Sequence, residues 1–357
     1  MAASAAPAAP GTVRVDADRL ASAVADIFTA LGIARGDAQL VANDIVLADL
    51  EGVVSHGVML VPMYVDRIQK GSVSKKRLGD VVSDNKAAIV IDAGNALGQL
   101  TAHQAVKLAV ERAKELGMAS VAVRNAFHFG TAGRYARLMA EQDCIGMVMS
   151  NTRPLMPAPG GAEALTGNNP IAIALPSTGE FPVEVDMAMS ATAMGKIRLA
   201  AAAGQSIPSD WAMAADGKPT TDPAEAIKGM LAPAAGPKGF GLAFVIDLLC
   251  GGLSGGAIGA EVRPLYGDPA EPYRCAQLFI AISTGAFPDG GSFAKRVNEQ
   301  AQRVTGSKRA PGITRVYAPG ELAHATHLAN AGTCTLSRQT FDSLIAAGKQ
   351  AGIKIDL

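Results

Sequence analysis

Two of the five histidines in this 357-residue chain lie in short glycine-flanked segments that suit chemistry better than core packing. His56 stands in Ser55-His56-Gly57, and His128 opens a polar, glycine-containing stretch that runs to Gly133. A histidine titrates near neutral pH and can pass a proton to or from a reacting oxygen, which lysine and arginine do poorly. Either histidine alone could equally be a hydrogen-bonded structural residue at a helix end. The pair is the strongest indication of chemistry in the sequence.

The elements that must position these histidines follow from apolar spacing. Before Gly71 the pattern is helical, and His56 falls between two of the helices. Beyond Gly71 strands and helices mix, which indicates an α/β composition. The predicted helices cover residues 16–31, 37–50, 58–69, 99–116, 189–203, 239–250, 293–304 and 339–348. The predicted strands cover residues 88–91, 120–123, 145–150, 171–175, 183–185 and 276–283.

Composition limits the function classes. Hydrophobic residues make up 49% of the chain, which suffices for a large buried core. The 32 basic and 32 acidic residues balance, so no net field favours nucleic acid or an anionic membrane. The four cysteines are scattered, which argues against a zinc site or a disulfide framework and favours the cytoplasm. The apolar run 240–260 contains Asp247 and several glycines, so we expect a buried helix that packs closely rather than a membrane span.

Several common signatures are missing. No Gly-x-Gly-x-x-Gly follows a strand, and no P-loop, His-Glu-x-x-His or Gly-x-Ser-x-Gly motif occurs. An ordinary Rossmann dehydrogenase and a P-loop enzyme are therefore disfavoured. His324 and His327 could share a helical face, but no acidic or cysteine residue follows at ligand spacing, so we expect no metal there.

A set of further phrases accompanies the two histidines in a fixed order. They are Asn151-Thr152, 159–161, 167–172, 186–190, Gly195-Lys196, 238–241, 248–256 and 319–321. Together they resemble the malate/L-lactate dehydrogenase family of the second type, most closely the branch that contains hydroxycarboxylate dehydrogenase B. The resemblance covers nearly the whole chain beyond the first dozen residues.

The resemblance implies a fold, a division of the chain and an assembly. The fold would be α/β (α+β) and unlike Rossmann's, with a mixed, largely antiparallel central sheet and a helical domain built from the two chain ends. Residues 1–12 would be a disordered lead-in. Residues 13–85 with 310–357 would form the helical, substrate-side domain, and residues 86–309 the α/β domain that binds the cofactor. A homodimer is implied as well.

The resemblance also implies the roles of individual residues. His56 would donate a proton to the substrate oxygen, with Ser55 and Asp186 orienting it, and His128 matches a position assigned as a base. The cofactor would be NAD, with NADP left open. The residues implied for cofactor binding are His56, Gly130, Thr131, Ala132, Thr152, Asp186, Met187, Ala188, Met189, Ser190, Lys238, Pro319, Gly320 and Glu321.

Departures from the family pattern bear on the substrate. Many members have an arginine that grips the substrate carboxylate where this chain has Leu60, and an uncharged side chain cannot do that. We propose Arg153 or Arg198 as the substitute. Pro237 and the pair Ala126-Phe127 also replace polar residues, which predicts an apolar pocket and a substrate with a hydrophobic side chain.

The leading hypothesis is an NAD(P)-dependent oxidoreductase that interconverts small 2-oxo and 2-hydroxy acids by hydride transfer. An NADPH-dependent reductase of cyclic imino acids such as piperideine- or pyrroline-2-carboxylate is the alternative within the enzyme class. A dinucleotide-binding protein without catalysis is the alternative from another class.

Overall fold

The structure, a computed structural model, describes residues 11–357. Most of the predicted lead-in, residues 1–10, lies outside this range. The predicted lead-in wrongly includes Thr12, because this residue begins a β-strand that pairs with the strand ending at Ser337.

The described residues form eleven α-helices. They are α1 (Ala17–Ala30), α2 (Arg35–Leu50), α3 (Val61–Lys70), α4 (Gly98–Leu116), α5 (Ala132–Ala140), α6 (Met194–Ala202), α7 (Pro223–Lys228), α8 (Pro237–Asp247), α9 (Phe293–Thr305), α10 (Glu321–Asn330) and α11 (Arg338–Gln350). Asp16 caps α1 because its carboxylate accepts the Arg19 N–H at 2.9 Å. The predicted helix 189–203 begins too early, since α6 starts at Met194. Ser190 instead donates its hydroxyl to the Thr192 carbonyl, a local bond that competes with a helical turn.

Thirteen strands complete the described chain. They are β1 (Thr12–Asp16), β2 (Asp80–Asn85), β3 (Ala88–Asp92), β4 (Met118–Ala126), β5 (Cys144–Ser150), β6 (Met156–Pro157), β7 (Ala164–Thr166), β8 (Ile171–Leu175), β9 (Val183–Met187), β10 (Ala212–Met213), β11 (Met230–Leu231), β12 (Cys275–Ser283) and β13 (Thr333–Ser337). Seven of them form the central sheet in the order β2-β3-β4-β12-β5-β8-β9. Strands β3 and β4 run parallel and the other neighbours antiparallel, which confirms a mixed, largely antiparallel sheet.

The two chain ends meet beside this sheet. Strand β1 pairs antiparallel with β13, and α11 packs on α3. The predicted domain boundary after residue 85 falls inside the hairpin of β2 and β3, both of which belong to the central sheet. The division into a substrate-side and a cofactor-binding domain stays a prediction.

Apolar packing on the sheet positions the loops of interest. Helices α4 and α5 pack on the sheet beside the nearly continuous apolar strand β12. Helix α8 continues into a wider π-helical turn, Leu248–Gly252, in which Gly251 packs against the Ala257 carbonyl so closely that a side chain would not fit. This close packing agrees with the expectation for the glycine-rich run. Within residues 11–357, no helix has both the length and the apolarity that a membrane crossing requires.

Candidate active site

The two glycine-flanked histidines meet face to face. His56 ends a short 3-10 turn, Val54–His56, after α2, and His128 lies in the loop between β4 and α5. Their rings stack with centroids 5.5 Å apart and planes inclined by 27°. Ser55 Oγ lies 2.9 Å from His56 Nδ1, and Tyr64 Oη lies 2.9 Å from His128 Nδ1. Both Nε2 atoms remain accessible, and within the described residues neither has a hydrogen-bond partner.

Burial sets the protonation of this pair. Loss of hydration lowers the pKa of His56 below its usual 6.5. The same cause, reinforced by repulsion from His56, lowers the pKa of His128 to about 3. Both shifts favour the neutral form of the ring at pH 7.

A buried carboxyl group supports the His56 loop from below. Asp49, near the end of α2, is only 7% exposed, and its Oδ2 accepts the Val58 N–H at 2.8 Å. A side chain on Gly57 would place its Cβ 2.1 Å from the Asp49 carboxylate, so the glycine is required for this approach. Burial raises the pKa of Asp49 to about 7. Our sequence reasoning missed Asp49, although an acidic residue on the apolar face of a helix was a visible signal.

A fully buried tyrosine supports His128. Tyr64, on α3, lies 3.0 Å from the His128 carbonyl as well as close to its Nδ1. Gln99, at the start of α4, donates its side-chain N–H to the Tyr64 hydroxyl at 3.0 Å. Sequence reasoning assigned no role to either Tyr64 or Gln99.

Asp186 does not orient His56 in this structure. Among the described residues its carboxylate accepts the Gly133 N–H at 2.7 Å, at the start of α5, and makes no hydrogen bond to His56. Asp186 thus lies with the predicted cofactor-binding residues rather than beside His56.

A buried ion network lies next to Asp186. The Arg137 guanidinium, on α5, contacts Glu51 and Glu184 at 2.6 Å each, and all three side chains are at most 14% exposed. Burial raises the pKa of Glu184, and its Oε2 lacks a hydrogen-bond partner within the described range. Arg137, Glu51 and Glu184 were missed, because their positions in the sequence show no motif.

Three of the predicted cofactor-binding segments converge on this network. Gly130 adopts a left-handed φ of 88°, and the turn that it forms leads through Thr131 into α5. The Glu184 N–H donates to the Pro319 carbonyl at 3.3 Å, and a Cβ on Gly320 would lie 2.9 Å from Glu184 Cγ. The predicted segments 130–132 and 319–321 and Asp186, the first residue of the predicted segment 186–190, therefore lie together around Glu184. Glu321 itself pairs with Arg315 at 2.5 Å and accepts the Ala318 N–H.

Two further predicted cofactor-binding residues, Thr152 and Met189, contact a pair of asparagines. The Thr152 hydroxyl lies 3.0 Å from Asn168 Oδ1, and its N–H donates to Asn169 Oδ1 at 2.8 Å. Met189 lies just after the end of β9, and its N–H donates to the Asn168 carbonyl. Ser190 is buried, and its hydroxyl donates to the Thr192 carbonyl. Met187 is exposed and Ala188 is half-buried. Lys238 is exposed in the first turn of α8.

The two candidate carboxylate anchors are available for a ligand. Arg153 and Arg198 are both exposed, and neither forms a salt bridge within residues 11–357. The Arg153 Nη1 donates to its neighbour's carbonyl, Pro154 O, at 3.3 Å. The charge of Arg153 acts on Tyr273 and the charge of Arg198 acts on Tyr266, so both arginines lie near the loop that carries these tyrosines.

The residues behind the predicted apolar pocket are mostly core residues. Leu60 is 2% exposed, Ala126 0% and Phe127 1%, and all three belong to the main hydrophobic core. Their apolar character therefore stabilises the interior and gives no support to a hydrophobic substrate side chain. Of that set only Pro237 is exposed, at the start of α8.

The histidines set aside as metal ligands lie on α10, where the His324 ring packs 5.3 Å from Phe181. Across residues 11–357 no three histidine, cysteine or acidic side chains are grouped so that they could hold a metal ion.

With the site in place, similarity to known proteins becomes informative. The sequence profile of the malate/L-lactate dehydrogenase family matches residues 15–344. The chain belongs to this family. It is therefore an oxidoreductase related to hydroxy acid dehydrogenases, which argues against the binding protein without catalysis. The family also accounts for the missing Rossmann signature.

Individual relatives agree with this family over most of their length. The L-sulfolactate dehydrogenase of Methanocaldococcus jannaschii is 35% identical over 333 residues, 93% of this chain and 96% of that protein. A solved sulfolactate dehydrogenase structure from the same organism has a TM-score of 0.90 at 34% identity and covers 96% of this chain and 98% of its own. The NAD(+)-dependent ureidoglycolate dehydrogenase of Escherichia coli O157:H7 is 34% identical over 81% of this chain and 82% of that protein. The Δ1-piperideine-2-carboxylate reductase structure from Pseudomonas syringae pvar. tomato has a TM-score of 0.83 at 27% identity, with coverages of 94% and 99%.

Proposed function

We propose that this enzyme interconverts small 2-hydroxy acids and 2-oxo acids with NAD(H), and that His56 exchanges the proton. The stacked histidine pair with two free Nε2 atoms carries the proposal. Ser55 Oγ beside His56 Nδ1 can accept from a protonated ring or donate to a neutral one, so we assign the exchanged proton to His56. His128 stays neutral beside it.

The proton balance follows from this assignment. In the oxidation, neutral His56 takes the proton of the substrate hydroxyl while a hydride leaves the adjacent carbon. In the reduction, protonated His56 returns the proton to the oxygen on which negative charge develops. The nicotinamide ring, when bound, accepts or supplies the hydride. The Ser55 hydroxyl beside His56 Nδ1 orients the ring in both directions.

The surface around α5 suits a nicotinamide dinucleotide. Within the described residues the N–H groups of Thr131 and Ala132 have no acceptor, and such groups at a helix start bind phosphate oxygens. The carboxylates of Glu184 and Asp186 accept hydrogen bonds, as ribose hydroxyls require. Together with Glu51 they outnumber the single Arg137, so a 2′-phosphate would meet excess negative charge. This imbalance favours NAD over NADP.

The substrate carboxylate needs a cation that Leu60 does not supply. We propose that Arg153 or Arg198 binds it, because both guanidinium groups are exposed and free of acidic partners in the described range. A guanidinium can hold a carboxylate through two parallel hydrogen bonds.

Reduction of a cyclic imino acid with NADPH is the second candidate. Its specific support is the structural similarity to Δ1-piperideine-2-carboxylate reductase at a TM-score of 0.83. A C=N substrate would need the same hydride geometry, with His56 protonating nitrogen instead of oxygen.

One set of assays tests both candidates. The purified full-length enzyme is given a panel of 2-oxo acids and Δ1-piperideine-2-carboxylate, each with NADH and with NADPH, and the nicotinamide absorbance is followed. We expect the fastest loss with NADH and a 2-oxo acid. Faster turnover of the imino acid with NADPH would favour the second candidate, and no turnover of either class would refute both.

We also propose a homodimer in the cytoplasm. Helix α8 and the turn after it expose large apolar side chains, namely Leu242, Phe244, Val245, Leu248 and Leu253, each at least 42% exposed. Contiguous apolar surface of this kind is typical of a subunit interface. The four cysteines are all free and buried, as in proteins of a reducing compartment. Light scattering should give twice the chain mass, and a monomer would contradict the dimer.

A further inference from the structure

The Tyr64 hydroxyl makes three short contacts at once. Gln99 Nε2 lies 3.0 Å away, His128 Nδ1 2.9 Å and the His128 carbonyl oxygen 3.0 Å. Tyr64 and Gln99 are both 0% exposed. Burial also raises the pKa of Tyr64 well above its usual 10, so the hydroxyl keeps its hydrogen.

Counting hydrogens leaves one arrangement that satisfies every contact. A hydroxyl has one hydrogen to donate and two lone pairs that accept. The Gln99 N–H can only donate and the His128 carbonyl can only accept. The hydroxyl hydrogen therefore points to the carbonyl, and the second lone pair accepts a hydrogen from His128 Nδ1.

The opposite arrangement leaves an unfavourable contact. If Tyr64 gave its hydrogen to Nδ1, its oxygen would face the His128 carbonyl oxygen at 3.0 Å with no hydrogen between them. Buried polar atoms left in this way are destabilising. If the Gln99 amide were turned round, its carbonyl oxygen would become a second acceptor beside the Tyr64 hydroxyl. The single hydroxyl hydrogen would then be needed by two oxygens, and none would be left for Nδ1, which must carry a hydrogen of its own.

We infer that Tyr64 and Gln99 hold His128 in the tautomer with hydrogen on Nδ1, so that a bare Nε2 faces the site as a permanent acceptor. Tyr64 and Gln99 are positioning residues, since they act through His128. Resting on the proposed function, the hydroxyl hydrogen of a bound 2-hydroxy acid passes to His56. The bare Nε2 of His128 has no hydrogen to give to the substrate oxygen, so the proton of each turnover is exchanged with His56 and not with His128.

Nuclear magnetic resonance of full-length protein labelled with 15N-histidine reads the tautomer directly, because the chain has only five histidines. His128→Gln identifies the signal. In the wild type we expect a pyrrole-type nitrogen at Nδ1 and a pyridine-type nitrogen at Nε2, and Tyr64→Phe should move the hydrogen towards Nε2. Tyr135→Phe is the matched control, since its buried hydroxyl donates to the Phe129 carbonyl at 2.5 Å, and it should leave the His128 signals unchanged.

Two results would overturn the inference. One is a hydrogen on Nε2 of His128 in the wild type, a result that does not depend on whether Tyr64→Phe folds. The other is a folded Tyr64→Phe whose His128 tautomer is unchanged.

Kinetics supply a second readout. Tyr64→Phe, which should place a hydrogen on Nε2, should lower the KM of the 2-oxo acid about threefold to tenfold, the range for one added hydrogen bond, because its carbonyl oxygen can then accept from His128. An unchanged or raised KM of the 2-oxo acid would contradict the role of the bare Nε2 at the site. The tautomer is measured without turnover, so failure of the proposed 2-hydroxy acid chemistry and failure of this inference are seen separately.

Discussion

The two halves of the site solve the same problem with different chemistry. Around the histidines the supporting groups are neutral or close to it, namely Tyr64, Gln99, Ser55 and an Asp49 whose pKa is raised to about 7. Around the start of α5 the supporting groups carry charge, with Arg137 between two glutamates. Both sets are largely buried.

The difference agrees with the role that we propose for each half. Neutral partners fix where a hydrogen sits without adding a field that would trap a proton on one histidine. Charged partners fix the position of a surface and, in the proposed function, select a cofactor by its charge. The experiments below separate these two kinds of support.

Replacing His56 should have the largest effect. His56→Ala should lower kcat/KM about a thousandfold in both directions, the middle of the range for a lost general acid or base. Steady-state kinetics with a 2-oxo acid and with its hydroxy acid measure this. His103→Gln is the control. His103 pairs with Asp44 at a distance of 2.7 Å and does not belong to the stacked pair, so the rate of this variant should stay at the wild-type level. Similar losses in both variants would remove His56 from the chemistry.

Removing the charge of Asp49 should change how stability depends on pH. The pKa of Asp49 is about 7 in the fold against 3.8 in its ordinary state, so its neutral form favours folding. That contribution is complete below pH 4 and is lost as the pH rises to 7. Asp49→Asn should thus match the wild type near pH 4 and be more stable by roughly 3–4 kcal/mol at pH 8. Urea unfolding across this range measures it, and a constant difference between the two proteins would be the contrary result.

Breaking the ion network should change the free energy of unfolding by a smaller amount. Arg137→Met leaves the buried Glu51 and Glu184 without a cation, and we expect a loss of about 3 kcal/mol in the free energy of unfolding. Arg112→Met is the matched control, because its pair with Asp84 is more exposed and should be worth about 1 kcal/mol or less. Equal losses would mean that burial of the Arg137 network is unimportant.

The substrate anchors should show the smallest change. Arg153→Ala or Arg198→Ala should raise the KM of a 2-oxo acid about tenfold, as expected for a lost charged hydrogen bond, with kcat little altered. Lys196→Ala, an exposed cation on the same helix as Arg198, serves as the control. If neither arginine variant changes KM, the carboxylate is bound elsewhere.

The fold was largely predictable because its signals are local or additive. Continuous apolar runs gave the strand at 276–283, and helical spacing gave most helices to within a turn. The error at 189–203 came from Ser190, whose hydroxyl bond to the backbone is not visible in a spacing pattern. Strands β1 and β13 were missed because each is stabilised by pairing with the opposite chain end.

The site was predictable only where the residues themselves are chemically distinctive. His56 and His128 stood out by type and by flanking glycines, and the structure brings them together. Their supporting residues Asp49, Gln99 and Arg137 were not found, since their roles depend on distant partners. Leu60, Ala126 and Phe127 were expected at a pocket and lie in the core, because one sequence does not show which side of a segment faces the interior.

The burial of Leu60 has a practical meaning for anyone who wishes to redesign this enzyme. Writing the family's arginine back at position 60 would force a guanidinium into a site that is 2% exposed and surrounded by apolar side chains. Specificity cannot be transplanted into this scaffold by that one exchange. The residues that bind the substrate carboxylate and the core residues that pack around position 60 would have to be redesigned together.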